Sequence, residues 1–167
     1  LVKDRLEVLD ALSFKQKNPA VQSLFMKALQ DKSWYVRGEA VDLIDIDKFT
    51  NKAQLSLAFQ NIINTDAVAA VREGALSRIA KLEKEKSVTV FENVINKDSS
   101  YKAIVTALNN LNVYNKSKAY DYAFKFAATD QPELLMTACK IFKDTTADNF
   151  EFFKKAIWLN TGRTFYA

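Results

Sequence analysis

The chain has 167 residues, 49% of them hydrophobic and 26% charged, the balance of a globular protein long enough to bury roughly two thirds of the surface its unfolded form exposes. Its 24 basic residues are scattered among 20 acidic ones, so the net charge of +4 forms no basic block able to track a phosphate backbone, and no nucleic acid is expected as a partner. With no histidine and one cysteine, the chain has no histidine-based triad, no usual zinc site and no internal disulfide; no catalytic, cofactor-binding or metal-ligating residue is expected in it.

Three glycines and two prolines are far fewer than average, which predicts long helices with short connections and an all-α fold. No apolar run approaches the ~20 residues of a membrane span, so none is expected. The chain opens on Leu1 without a basic-then-apolar leader and reads as one domain, 1–167, expected to be a piece of something longer.

In chain order, "DRLEVLDAL" from Asp4 predicts a first amphipathic helix. "PAVQSLFMKAL" from Pro19 predicts a second, with Asn18 and then proline as a start signal. "DKSWYVRGEAVDLI" (31–44) returns as "DAVAAVREGALSRI" (66–79), which sets Arg37 over Arg72, Ala40 over Ala75 and Ile44 over Ile79. Weaker copies follow at "SSYKAIVTALNNL" around Ala107 and "QPELLMTACKIF" around Ala138. The first helix joins them with Val8 in the alanine place and Arg5 in the arginine place. The anchors lie 32, 35, 32 and 31 residues apart, the period of a solenoid of helix pairs. Second amphipathic segments begin near 19, 52, 88, 117 and 149, giving about five helix pairs in an α-α superhelix.

Each residue type has a physical role in that frame. The small alanine allows close helix contact, and the residues four before and four after it supply the knobs. Asp31, Asp66, Asp98 and Asp130 fall at the joints, where a carboxylate can cap the incoming helix. Gly38 and Gly74 are read as close-approach positions, not as phosphate loops. Phe25, Phe59, Phe91 and Phe124 are expected to fill the core from the first helix of each pair. Cys139 is expected to be a small buried core residue. Arg37, Glu39, Arg72 and Glu73 are the charged candidates for a site, but one phase in a repeat favours arginines tied to a joint aspartate or to a carbonyl of the adjacent unit. Trp34 and Tyr35, at a helix start, fit the surface.

Helix pairs near a 32-residue period, with Asp followed by Val-Arg-x-x-Ala-x-x-x-Ile, resemble HEAT repeats. The words "DRLEVLDAL", "ALQDKSWYVRGEAVDLI" and "DNFEFFKKAIWLNTGRTFYA" look like the C-terminal helical domain of bacterial M1-family aminopeptidases. That resemblance implies a noncatalytic domain that shapes access to the active-site chamber of a parent zinc peptidase. Its partners are the catalytic domain of the same chain and the peptide substrate, and zinc is expected in that absent domain. The setting implied is bacterial, cytoplasmic or periplasmic. The family's His-Glu-x-x-His and Gly-x-Met-Glu-Asn motifs have no counterpart here, so no catalytic residue carries over. The alternatives are a HEAT scaffold for protein partners and, behind it, a nucleic-acid-binding helical repeat.

Overall fold

A computed structural model describes residues 1–143 and Phe153. The expected helix from residue 149 and the aromatic tail lie outside the described residues, Phe153 excepted, which is helical. All regular structure among the described residues is helical: α1 (Val2–Leu12), α2 (Pro19–Ala28), α3 (Trp34–Leu43), α4 (Lys52–Thr65), α5 (Ala69–Glu83), α6 (Val88–Lys97), α7 (Tyr101–Tyr114), α8 (Lys116–Lys125) and α9 (Pro132–Lys143). The chain divides into two compact units, Leu1–Ser87 and a second beginning at Val88.

In the first unit α3 packs against both α1 and α5, while α2 lies on α3 and α4 lies on α5. In the second, α7 packs against α6, α8 and α9, and α8 also packs on α9. Each even-numbered helix therefore covers the odd-numbered helix that follows it. The covering places the anchor alanines at the bottom of the packing: Ala40, Ala75, Ala107 and Ala138 are all fully buried. A larger side chain at any of them would overpack the contact, at a cost of about 1–3 kcal/mol.

The helix starts explain the regularity. Three even helices open with an asparagine whose side chain accepts an N–H of the first turn: Asn18 from Ala20, Asn51 from Gln54 and Asn115 from Lys118. The odd helices open differently. The N-caps are Ser33, Val68 and Ser100, and the joint aspartate sits two residues before each. Asp31, Asp66 and Asp98 each accept the backbone N–H of that cap residue, at 2.8, 2.9 and 2.7 Å. The aspartates thus fold the turn leading into the helix and do not cap the helix itself, a correction to the expectation from spacing. At the last joint the role moves by one residue. Thr129 Oγ1 accepts the Gln131 N–H at 3.2 Å, and Asp130 accepts from the Gln131 side chain. Pro132 then holds the first helical position, where its missing N–H is harmless.

Phe25, Phe59 and Phe91 are fully buried, but Phe124 is 38% exposed. Counted from the asparagine caps, Ala119, Ala123 and Ala127 stand where α4 has Leu55, Phe59 and Ile63, and all three alanines are buried. Phe124, one residue out of that register, meets the edge of the Phe142 ring at 6.2 Å, and Tyr120 lies 4.3 Å from the same ring. Phe142, donated by α9, therefore supplies the aromatic bulk expected from α8.

The two glycines beside the anchors differ. A Cβ on Gly74 would stand 3.0 Å from Val41 Cγ1, and Val41 is fully packed, so this glycine serves close approach. A Cβ on Gly38 would meet only Val71 Cγ2 at 3.9 Å, an ordinary contact, which corrects the close-approach reading there. Lys84, where α5 ends, has φ of +51°, a conformation that side chains disfavour and glycine adopts freely.

Gly38→Ala is expected to stabilise the chain by up to about 1 kcal/mol through helix propensity, while Gly74→Ala is neutral or destabilising; urea unfolding of both variants checks the ordering. Lys84→Gly should gain about 1 kcal/mol, seen as a rise of roughly 2–4 °C in Tm by calorimetry.

Candidate functional site

The charged residues that the repeat brings forward meet in the first unit as a ladder. Arg37 is on the first turns of α3, and its guanidinium reaches the joint ahead of α5. Nε donates to Asp66 Oδ2 at 2.6 Å and Nη2 to Asp66 Oδ1 at 2.8 Å, a two-pronged pair with the arginine side chain 17% and the carboxylate 3% exposed. The remaining nitrogen, Nη1, turns back to its own joint and donates to the carbonyls of Asp31, at 2.8 Å, and Lys32. Arg72 repeats that last contact one step on, donating from Nη1 to the Asp66 carbonyl at 2.9 Å.

One step earlier, Arg5 repeats the forward contact. Its Nη2 donates to Asp31 Oδ1 at 3.1 Å. Its Nε lies 2.8 Å from Asp31 Oδ2 but without the alignment of a hydrogen bond, and the arginine is 37% exposed. The rung is therefore looser and more solvated than that of Arg37. Each of these two joint aspartates is held twice: the carboxylate by the arginine of the preceding odd helix, the carbonyl by the arginine of its own.

The electrostatics follow from the geometry. Burial pushes the Asp66 carboxyl up, but hydrogen bonds from Arg37 and the Val68 N–H, with the charges of Arg37 and Arg72, outweigh burial and hold it below its ordinary value of 3.8. The hydrogen bond to Asp66 raises the Arg37 guanidinium above its own ordinary value, with burial opposing.

Two glutamines that the sequence did not single out complete the buried polar structure of this unit. Gln16 is fully buried; its Nε2 donates to the Ser13 and Leu43 carbonyls and its Oε1 accepts the Asp45 N–H. Gln22 Nε2 donates to the Gln16 and Lys48 carbonyls, and its Oε1 accepts the Thr50 N–H and hydroxyl. Together they satisfy the backbone of the α1–α2 and α3–α4 connections, which a buried loop would otherwise leave unpaired. No spacing rule marks them, since an amide in a connection, as Gln16 is, or on a helix, as Gln22 is, reads as surface.

The other candidates carry less. Glu39 and Glu73 are half-buried on their helices. Cys139 is half-buried, not core, and burial pushes its thiol up, which keeps it in the unreactive protonated form near neutral pH. Trp34 and Tyr35 are exposed and stacked on each other, ring centroids 3.8 Å apart.

Three surface depressions stand out. An apolar groove of about 310 Å³ runs between α1, α2 and the start of α3, past Val8, Leu9, Leu24, Ala28 and Val36. A polar one of about 410 Å³ follows α3, between Asp42 to Asp47 and Arg78 with Lys81. The third, about 460 Å³, lies in the second unit between the starts of α7 and α9, at Tyr101, Lys102, Pro132 and Glu133. The ladder arginines other than Arg5 line none of these. Among the described residues no three of His, Cys, Asp or Glu are grouped to hold a metal ion, and no helix is long and apolar enough to cross a membrane. The ladder carries no nucleophile beside a base; its chemistry is the satisfaction of buried charge and backbone.

No family model, curated protein or solved structure matches the chain.

Arg37→Ala leaves the Asp66 carboxylate buried without its guanidinium and should cost about 3 kcal/mol, against about 1 kcal/mol or less for Arg5→Ala at its exposed rung; urea unfolding of the two variants checks the ranking. Because the folded carboxyl of Asp66 lies below its unfolded value, its contribution is complete above about pH 5 and is lost as pH falls through the folded pKa. The stability difference between the chain and Asp66→Asn, followed from pH 7 to pH 2, should therefore be flat at first and shrink below about pH 4.

Proposed function

We propose that the chain is a HEAT-like array serving as the noncatalytic C-terminal helical domain of an M1-family metallo-aminopeptidase, where it shapes access to the parent's active-site chamber. The observation that carries the repeat part of this reading is the common frame of the odd helices. The anchor alanine stands seven residues after each of the caps Ser33, Val68, Ser100 and Gln131, and an even helix covers it every time. Units built in this way stack by contact with their neighbours and present long continuous faces, suited to walling a chamber or holding a peptide.

The aminopeptidase part rests on the particular words around "DRLEVLDAL" and "SWYVRGEAVDLI". Function resides in sites and not in the fold, so these words, rather than the helices, separate an accessory domain from a free-standing scaffold. In the accessory reading the charged ladder is structural, the zinc and the peptide chemistry belong to the catalytic domain, and the contribution of this chain is shape.

The test is the reading frame upstream of Leu1 in the source genome. A His-Glu-x-x-His motif with a distant glutamate, a few hundred codons ahead, is the expected finding. A frame without that motif overturns the aminopeptidase reading and leaves the protein-binding scaffold in its place.

A further inference from the structure

The anchors of α3, α5, α7 and α9 are fully buried, and each lies beneath the even helix that precedes it in the chain: Ala40 under α2, Ala75 under α4, Ala107 under α6 and Ala138 under α8. Val8 is the anchor of α1 in the same frame, seven residues after the N-cap Leu1, yet it is 45% exposed. It opens onto the 310 Å³ apolar groove, which Leu9, Leu24, Ala28 and Val36 also line. The arginine of α1 departs from the frame at the same end of the helix. Arg37 and Arg72 each turn Nη1 back to the carbonyl of a joint aspartate six residues earlier, at 2.8 and 2.9 Å. The position six residues before Arg5 lies two places ahead of Leu1, and Arg5 Nη1 donates instead to the Leu1 carbonyl, at a longer 3.3 Å.

We propose that this groove is the seat of a helix of the same polypeptide, lying immediately ahead of Leu1 and joined to α1 by the turn that launches the other odd helices. The helices in the equivalent places specify the occupant. Each buries a phenylalanine with an apolar residue four places away: Phe25 with Val21 in α2, Phe59 with Leu55 in α4 and Phe91 with Ile95 in α6. That phenylalanine stands six or seven residues ahead of the joint aspartate, Asp31, Asp66 or Asp98. The covering helix therefore carries a large apolar residue at that distance from its joint and sets it against Val8. The joint residue, two places ahead of Leu1, accepts the Leu1 N–H through its side chain and the Arg5 guanidinium through its carbonyl, as Asp31 does for Ser33 and Arg37. A covalently joined helix reaches its seat at high effective concentration and needs little affinity of its own, which is how α2, α4 and α6 are delivered to theirs. The placement rests on the HEAT-like frame proposed above and not on the aminopeptidase setting.

The test extends the chain by the residues that the source genome encodes ahead of Leu1, about 20 of them, enough for a helix the length of α4 and its joint. Their expected sequence has an apolar stripe of helical spacing and an acceptor side chain two places before Leu1. Calorimetry of the extended chain should show a Tm at least about 4 °C above that of residues 1–167. Val8→Lys should lower the Tm of the extended chain by more than twice what it takes from the unextended one, where Val8 is nearly half exposed and the variant keeps its fold. An extension that leaves the Tm unchanged, or a Val8→Lys effect equal in the two forms, overturns the proposal. So does a reading frame too short upstream for one helix, or one whose residues there carry neither the stripe nor the acceptor. The zinc motif is sought a few hundred codons further ahead, so the two readings fail separately: a frame with the helix but without His-Glu-x-x-His keeps this seat and removes the aminopeptidase setting.

Discussion

The first unit depends on the pairing of Arg37 with Asp66, a rung of the ladder in which both charges are withdrawn from water. A buried ion pair is costly to form and more costly to break, because the surviving partner keeps its desolvation penalty. Here the penalty is met by directional bonds: two from the guanidinium, and one from the Val68 N–H to the same carboxylate. The pair thereby joins the body of α3 to the turn that launches α5. Hydrophobic contact alone would bring these helices together without fixing how far one slides along the other, and the fork geometry of arginine supplies that register.

Apolar packing then does what the polar rungs cannot. The alanine anchors let adjacent helices approach closely, and the phenylalanines of α2, α4 and α6 fill the space between layers. Each full burial contributes about 2–3 kcal/mol. The α8–α9 pair solves the same problem with the sizes exchanged: small residues on α8 and a large Phe142 on α9. The aromatic bulk at that contact comes from the other helix of the pair.

How much of this was legible in the sequence depends on the kind of signal. The start of α2 was readable because asparagine followed by proline before a periodic apolar run has a clear local meaning, and Asn18 caps as that chemistry suggests; Asn51 and Asn115 cap α4 and α8 in the same way. The pairing of arginine with a joint aspartate was readable because both recur at one phase. What failed depended on register finer than the repeat. Phe124 carries the right residue type one position too late, and Asp130 stands one place after the position that Thr129 fills. Gln16 and Gln22 were not readable at all, since most of their bonds run to groups more than twenty residues away and leave no periodic trace. The exposure of Val8 likewise belongs to the three-dimensional arrangement, because its sequence neighbourhood matches the buried copies.

The aspartate turns also determine where the chain can change length. From Asp31 to Ala40, from Asp66 to Ala75 and from Asp98 to Ala107 the distance is nine residues, although the spacing between these three anchors is 35 and then 32. The stretch that must match its neighbour is thus metered from one end only, at the incoming turn. The surplus residues of the longest copy fall elsewhere, in α4 and in the connection 44–51 that leads to it. A chain assembled in this manner behaves like a set of brackets fixed at one side: the free side of each can be extended, shortened or furnished with new residues while the register from turn to anchor is retained.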